Sequence, residues 1–153
     1  MEHWGYRRGA ANKERGFNGY VISGRDKTIA FFGDTTYGDR TRLIPDPAMG
    51  CQPRWIGAPV DWSKRVGLES VDICILPIGD YYYHLNHTSP EEAWSIFRQV
   101  GGKWFLPIHW RTFILVPQDK LPMFEPIERL RAVAADDANQ IICDDPGEEF
   151  VLP

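Results

Sequence analysis

A near-continuous apolar run at residues 71–78 is followed by Ser89-Pro90-Glu91-Glu92, and then by a second apolar run at 104–108. That succession constrains the fold more than anything else in the chain. The first run reads as a buried strand. Ser89 can cap a helix, Pro90 suits its first position, and Glu92 closes a capping box. The helix then runs to about Val100, with Ala93, Trp94, Ile96, Phe97 and Val100 on its apolar face, and Gly101-Gly102 stops it. The second run reads as another buried strand. Upstream, residues 17–23 and 28–32 read as strands joined by a Gly24-Arg25-Asp26-Lys27 hairpin turn. Downstream, residues 122–135 read as a second helix, with Phe124, Ile127, Leu130 and Val133 at helical spacing. Residues 140–143 and 149–152 read as short closing strands. The alternation of strands and helices indicates an α/β (α+β) domain, and the early hairpin argues for a mixed rather than a purely parallel sheet. Residues 36–65 hold Pro45, Pro47, Pro53 and Pro59 and read as a long loop, with one short helix near 61–66.

The chain's 153 residues suit one domain with a real core. A net charge of -4 argues against a nucleic-acid partner, whose phosphates favour a basic face. The basic cluster Arg7, Arg8, Lys13 and Arg15 is short; it reads as a solvated loop or as an anion contact. Cys51, Cys74 and Cys143 are widely spaced, which indicates neither a zinc ribbon nor a disulfide framework, and Cys74 reads as a small core hydrophobe. No segment reaches the ~20 apolar residues of a transmembrane span, and the first residues lack the apolar core of a signal peptide. A cytoplasmic location is the resulting expectation.

Two apolar runs end on residue types that bind metal ions: Phe31-Phe32-Gly33 leads to Asp34, and Phe105-Leu106-Pro107-Ile108 leads to His109. A buried strand that delivers a carboxylate or an imidazole at its carboxyl end can build a metal site on a rigid frame. Each residue has a plainer alternative. Asp34 could be a turn aspartate accepting backbone N–H bonds, and His109 a satisfied core histidine. His87, just before the Ser89 cap, could face a substrate or be an ordinary loop residue. Tyr81-Tyr82-Tyr83 could line a cleft or form an aromatic strand edge. His3 in isolation says almost nothing. No G-x-S-x-G elbow, P-loop or G-x-G-x-x-G occurs.

Taken in order, several pieces resemble the second half of a metallo-β-lactamase-fold hydrolase, in the branch that includes N-acyl-phosphatidylethanolamine phospholipase D and its bacterial relatives. They are His3-Trp4 with Arg7; Gly33-Asp34-Thr35 with Tyr37; residues 72–79; His87 with Pro90-Glu91-Glu92-Ala93; Ile108-His109-Trp110 with Thr112-Phe113; and Glu125-Pro126. The resemblance implies an αββα sandwich, here half or partial, with a mixed sheet and packed helices. It also implies a site for two metal ions, usually zinc, with other divalent metals admissible. His3 would complete the first ion's histidine set, Asp34 would bridge both ions, and His109 would bind the second. His87 would lie near the substrate, with Arg7 as a further contact; Tyr81, in a stretch where the chain departs from the family's usual loop, is a substrate contact only on the cleft reading. The implied substrate is a small or lipid-like phosphodiester, or a related ester, amide or lactone.

The chain departs from that pattern in lacking the family's H-x-H-x-D-H motif, which lies in the amino-terminal half and supplies four ligands. Truncation is the simplest account. The expectation is then a single domain over residues 1–153 that is the carboxyl-terminal portion of a larger one. A half-sandwich would expose an apolar sheet face and call for a homodimer or for the missing half. Alone, it would bind zinc weakly and turn over slowly. The competing reading is a non-catalytic interaction module that pairs with another chain.

Overall fold

The computed structural model describes residues 2–3, 17–33, 70–79, 88–111 and 123–153. In chain order the elements are β1 (Glu2–His3), β2 (Phe17–Asn18), β3 (Tyr20–Ser23), β4 (Thr28–Phe31), β5 (Val71–Pro77), α1 (Pro90–Gln99), β6 (Gly102–Ile108) and α2 (Glu125–Ala134), followed by a 3-10 helix at Ala135–Gln140. The expected helix near 61–66 and the long loop around it lie outside the described residues.

β3, β4, β5 and β6 form a four-stranded sheet in that spatial order. The β3–β4 hairpin is antiparallel and closes through a Gly24 N–H to Lys27 carbonyl bond of 2.8 Å. β4, β5 and β6 are parallel to one another. The sheet is therefore mixed, as the hairpin required. Because side chains alternate across a strand, the register sorts them into two faces. The row Ala30, Cys74 and Phe105 lies on one face and is fully buried. The rows Ile29, Ile73, Trp104 and Phe31, Ile75, Leu106 lie on the other and are only partly buried. That second face is continuous with Tyr20 and Ile22 on β3, which are 57% and 58% exposed. The described residues thus leave one apolar sheet face partly open.

The buried face is covered by α1. Ser89 Oγ accepts from the Glu92 N–H at 3.2 Å, and Glu92 Oε2 accepts from the Ser89 N–H at 2.8 Å, which completes the expected capping box. Phe97 then meets Phe105 edge-on at 5.4 Å between ring centroids, and Trp94 packs on Phe97 at 4.8 Å. Gly102 permits this approach: a Cβ there would stand 2.3 Å from the Phe97 ring. α2 packs on α1 through Ile127 and Leu130, both in the core. Arg129 clasps the pair, donating from Nε and Nη2 to the two Glu91 carboxylate oxygens at 2.8 and 2.6 Å and from Nη1 to Glu125 at 3.0 Å. That bidentate contact holds the Glu91 carboxyl below its usual range.

Four expected elements differ. The strand expected at 17–23 is interrupted at Gly19 into β2 and β3, which belong to different sheets. α2 starts at Glu125 rather than at residue 122, because Phe124 takes the cap position and Pro126 occupies the first turn. The strand expected at 140–143 reduces to one parallel bridge between Phe105 and Ile141, since the chain turns at Cys143 with φ 50°. Residues 149–152 form no strand. Phe150 instead packs its ring on Trp104 at 4.8 Å, while the Pro153 carbonyl accepts from Lys27.

Candidate active site at the carboxyl edge of the sheet

Three parallel strands must end on the same side of their sheet. β4 leads to Phe32 and Gly33, β5 to Ile78 and Gly79, and β6 to His109. Register carries this alignment to the last residues: Phe31 lies opposite Ile75, and Pro77 opposite Ile108. The Phe32 N–H then donates to the Ile75 carbonyl and the Ile78 N–H to the Ile108 carbonyl, both at 3.0 Å. Ligand sites in such sheets form beyond these carboxyl ends. β4 and β6 stand two strand spacings apart, roughly 10 Å. Imidazole and carboxylate side chains can close that span around bound cations.

His109 is the one candidate ligand whose side chain is described. It is partly buried, and its backbone is left-handed at φ 57°. Arg111, two residues on, is also left-handed at φ 56°. Non-glycine residues pay about 1–2 kcal/mol for this conformation, and such strain gathers at functional sites. Gly33 adopts φ 60° without that penalty, immediately before Asp34.

The remaining candidates are placed only in part. His3 has a described backbone: β1 pairs antiparallel with β2, His3 opposite Phe17. β2 passes through Gly19 into β3, whose first residue, Tyr20, lies opposite Phe31 at the end of β4. Chain order thus brings the β1–β2 ladder to the carboxyl side of β4. Asp34, His87, Arg7 and Tyr81 lie outside the described residues. Their described neighbours are Gly33 for Asp34 and Thr88 for His87. Thr88 is fully buried, and its hydroxyl donates to the Pro77 carbonyl at the carboxyl end of β5. Among the described residues no group of three or more His, Cys, Asp or Glu could hold a metal ion.

The opposite edge is built for stability. Asp72, 8% exposed near the amino end of β5, accepts from Lys103 Nζ and from the Thr28 N–H, each at 2.8 Å. The Lys103 hydrogen bond, then that of the Thr28 amide, holds the Asp72 carboxyl below its usual range. One carboxylate so ties together the starts of β4, β5 and β6. An open groove of about 490 Å³ lies here, lined by Lys27, Asp72, Lys103, Trp104 and Gln140 among others, away from His109. Burial pushes the Cys74 thiol up to about 12, which removes it as a nucleophile.

Sequence reasoning missed Arg111 and Asp145. Arg111 Nη1 lies 2.6 Å from Asp145 Oδ1, and its guanidinium carbon sits 4.4 Å from the Phe124 ring centroid. No local pattern announces contacts across 34 residues. It also gave Thr88 no role.

No family model matches the chain. A protein of Bacillus thuringiensis named UPF0173 metal-dependent hydrolase is 26% identical over 110 residues, covering 72% of this chain and 37% of that protein. A Bacillus cereus protein of the same name matches to the same extent. An uncharacterised protein of Mycobacterium tuberculosis is 37% identical over 82 residues, covering 50% of this chain and 21% of that one. The matched stretches thus span 21% to 37% of these relatives' lengths. No described helix is long and apolar enough to cross a membrane.

Proposed function

We propose that the chain forms the carboxyl edge of a metal-dependent hydrolase active site. The observation that carries the proposal is His109, left-handed at the carboxyl end of β6, on the edge where β4 and β5 also end. The similarity to proteins named metal-dependent hydrolases supports the same reading.

In this proposal His109, Asp34 and His3 hold the metal, with Asp34 shared between two ions and zinc as the element. Imidazole and carboxylate donors suit zinc. When bound, the ions supply the positive charge that lets a water act as a nucleophile near neutral pH. The chain's own residues do the rest. The sheet fixes the ligand-bearing strand ends, and Thr88 anchors the segment after His87. His87 orients the reacting group or its leaving oxygen, and Arg7 and Tyr81 bind the remainder of the substrate. The substrate in this proposal is a phosphodiester or a related ester, amide or lactone, each open to attack by such a water. The full site draws on more protein than the matched stretches span. Zinc content and hydrolysis of bis(4-nitrophenyl) phosphate, measured together on protein carrying the full site and on its His109→Ala variant, test the proposal. Both should fall together; a variant with undiminished zinc and turnover would refute it.

A second reading rests on the open sheet face bearing Tyr20, Ile22, Phe31, Ile75 and Leu106. In it the chain is a non-catalytic module that pairs through this face with a second copy or with another chain. It predicts a defined oligomer that forms without metal, and chelator-sensitive assembly would count against it.

A further inference from the structure

We infer that Arg111 is a positioning residue for His109. Its guanidinium, gripped by Asp145 and Phe124, keeps the left-handed turn after β6 in the shape that presents the imidazole. The inference rests on the reading of His109 as a metal ligand and adds a residue outside the ligand set.

Two of three consecutive residues, His109 and Arg111, have positive φ without being glycine. A turn of that kind relaxes unless its surroundings over-determine it. The surroundings here do so on both sides. Trp110 packs against the hydrophobic core. Arg111 reaches outward to two anchors, Asp145 Oδ1 at 2.6 Å and the Phe124 ring at 4.4 Å. Both anchors have exposed side chains, Asp145 62% and Phe124 45%, and each is tied to α2 through the backbone or a neighbouring residue. Phe124 is the cap residue of α2. Asp145 sits in a turn closed by its own N–H to Glu148 Oε2 at 3.3 Å and by the Glu148 N–H to the Asp145 carbonyl at 3.2 Å. The preceding residue, Asp144, accepts from Arg131 Nε of α2 at 2.9 Å. α2 therefore grips the His109 turn at two points, from its start through Phe124 and from its last turn through Arg131, Asp144 and Asp145.

The experiment titrates zinc alone into the full chain. It compares parent, His109→Ala, Arg111→Ala, Asp145→Ala, the Arg111→Ala/Asp145→Ala double variant and Arg111→Lys. Arg98→Ala, which loses an exposed ion pair to Asp137, is the control. Amide hydrogen exchange at residues 109–111 is read on the same samples. Arg111→Ala should weaken zinc binding about tenfold, as removal of an outer partner of a ligand typically does. It should also accelerate exchange at 109–111 while distant amides keep their rates. The double variant should be no worse than the single, because the two residues act through one contact. Lysine, which keeps the charge but not the planar face, should restore part of the loss. If zinc affinity and local exchange are both unchanged in Arg111→Ala while His109→Ala loses zinc, the inference is overturned. If His109→Ala itself keeps its zinc, the ligand reading fails, and exchange at 109–111 then decides whether Arg111 holds the turn.

Discussion

Thr88 donates its hydroxyl to the carbonyl oxygen of Pro77, and so joins the start of α1 to the carboxyl end of β5. Both groups are buried. The bond holds the residue after His87 at the same edge as His109, although the two histidines are 22 positions apart in the chain.

Replacing Thr88 by Val keeps its shape and leaves the Pro77 carbonyl without that donor. A buried acceptor stripped of its partner costs about 1–3 kcal/mol. Urea denaturation of Thr88→Val should show a loss of that size, with turnover reduced further if His87 contacts substrate. A stability within ~0.5 kcal/mol of the parent, the usual scatter of neutral substitutions, would show that the bond does not anchor this edge.

Asp72 should contribute to the acid limb of stability. Its folded-state pKa lies below the unfolded value of ~3.9, chiefly through Lys103 and then Thr28. A depressed carboxylate stabilises the fold fully above its unfolded pKa and loses that contribution as pH falls through the folded one. Urea unfolding between pH 2 and 6 should therefore show a steeper decline below ~pH 4 in the parent than in Asp72→Asn. Parallel curves would contradict the assignment.

Gly102→Ala tests how closely β6 approaches α1. The new methyl would meet the Phe97 ring at 2.3 Å and Cys74 Sγ at 3.0 Å. Phe97 is fully buried. Overpacking of this kind costs about 1–3 kcal/mol, and thermal denaturation would reveal it as a lowered midpoint. An unchanged midpoint would mean that the α1–β6 contact can open without penalty.

Cys74 should resist thiol reagents in the folded protein, since its thiol is fully buried and its pKa is pushed up to about 12. Labelling with Ellman's reagent at neutral pH should modify Cys74 only as fast as the core opens, and promptly in denaturant. Rapid modification of Cys74 in the native state would show that β5 is not sealed by α1.

The elements carried by strong local chemistry were legible in the chain. The capping box of Ser89 and Glu92, the Gly24–Lys27 turn and the apolar runs of β5 and β6 each formed where the residues indicate. The mixed sheet followed from the hairpin. The closing strands were not legible, because their β-favouring residues found other partners. Ile141 makes one bridge and Phe150 stacks on Trp104. The start of α2 was misjudged because Pro122 and Pro126 both suit a first helical turn, and the helix uses Pro126 with Phe124 as its cap. At the candidate site, His109 was readable as a strand-end histidine. Its left-handed backbone was not, since nothing in Ile108-His109-Trp110 marks it, and neither was the Arg111–Asp145 contact, which joins residues 34 positions apart.

Zinc affinity of parent against His109→Ala protein, measured by competition with a chromophoric chelator, tests the central claim most directly. Loss of a true ligand should weaken binding by more than the ~10-fold expected for an outer partner, with the overall fold unchanged by circular dichroism. Equal affinities in the two folded proteins would contradict the placement of the metal at the carboxyl end of β6.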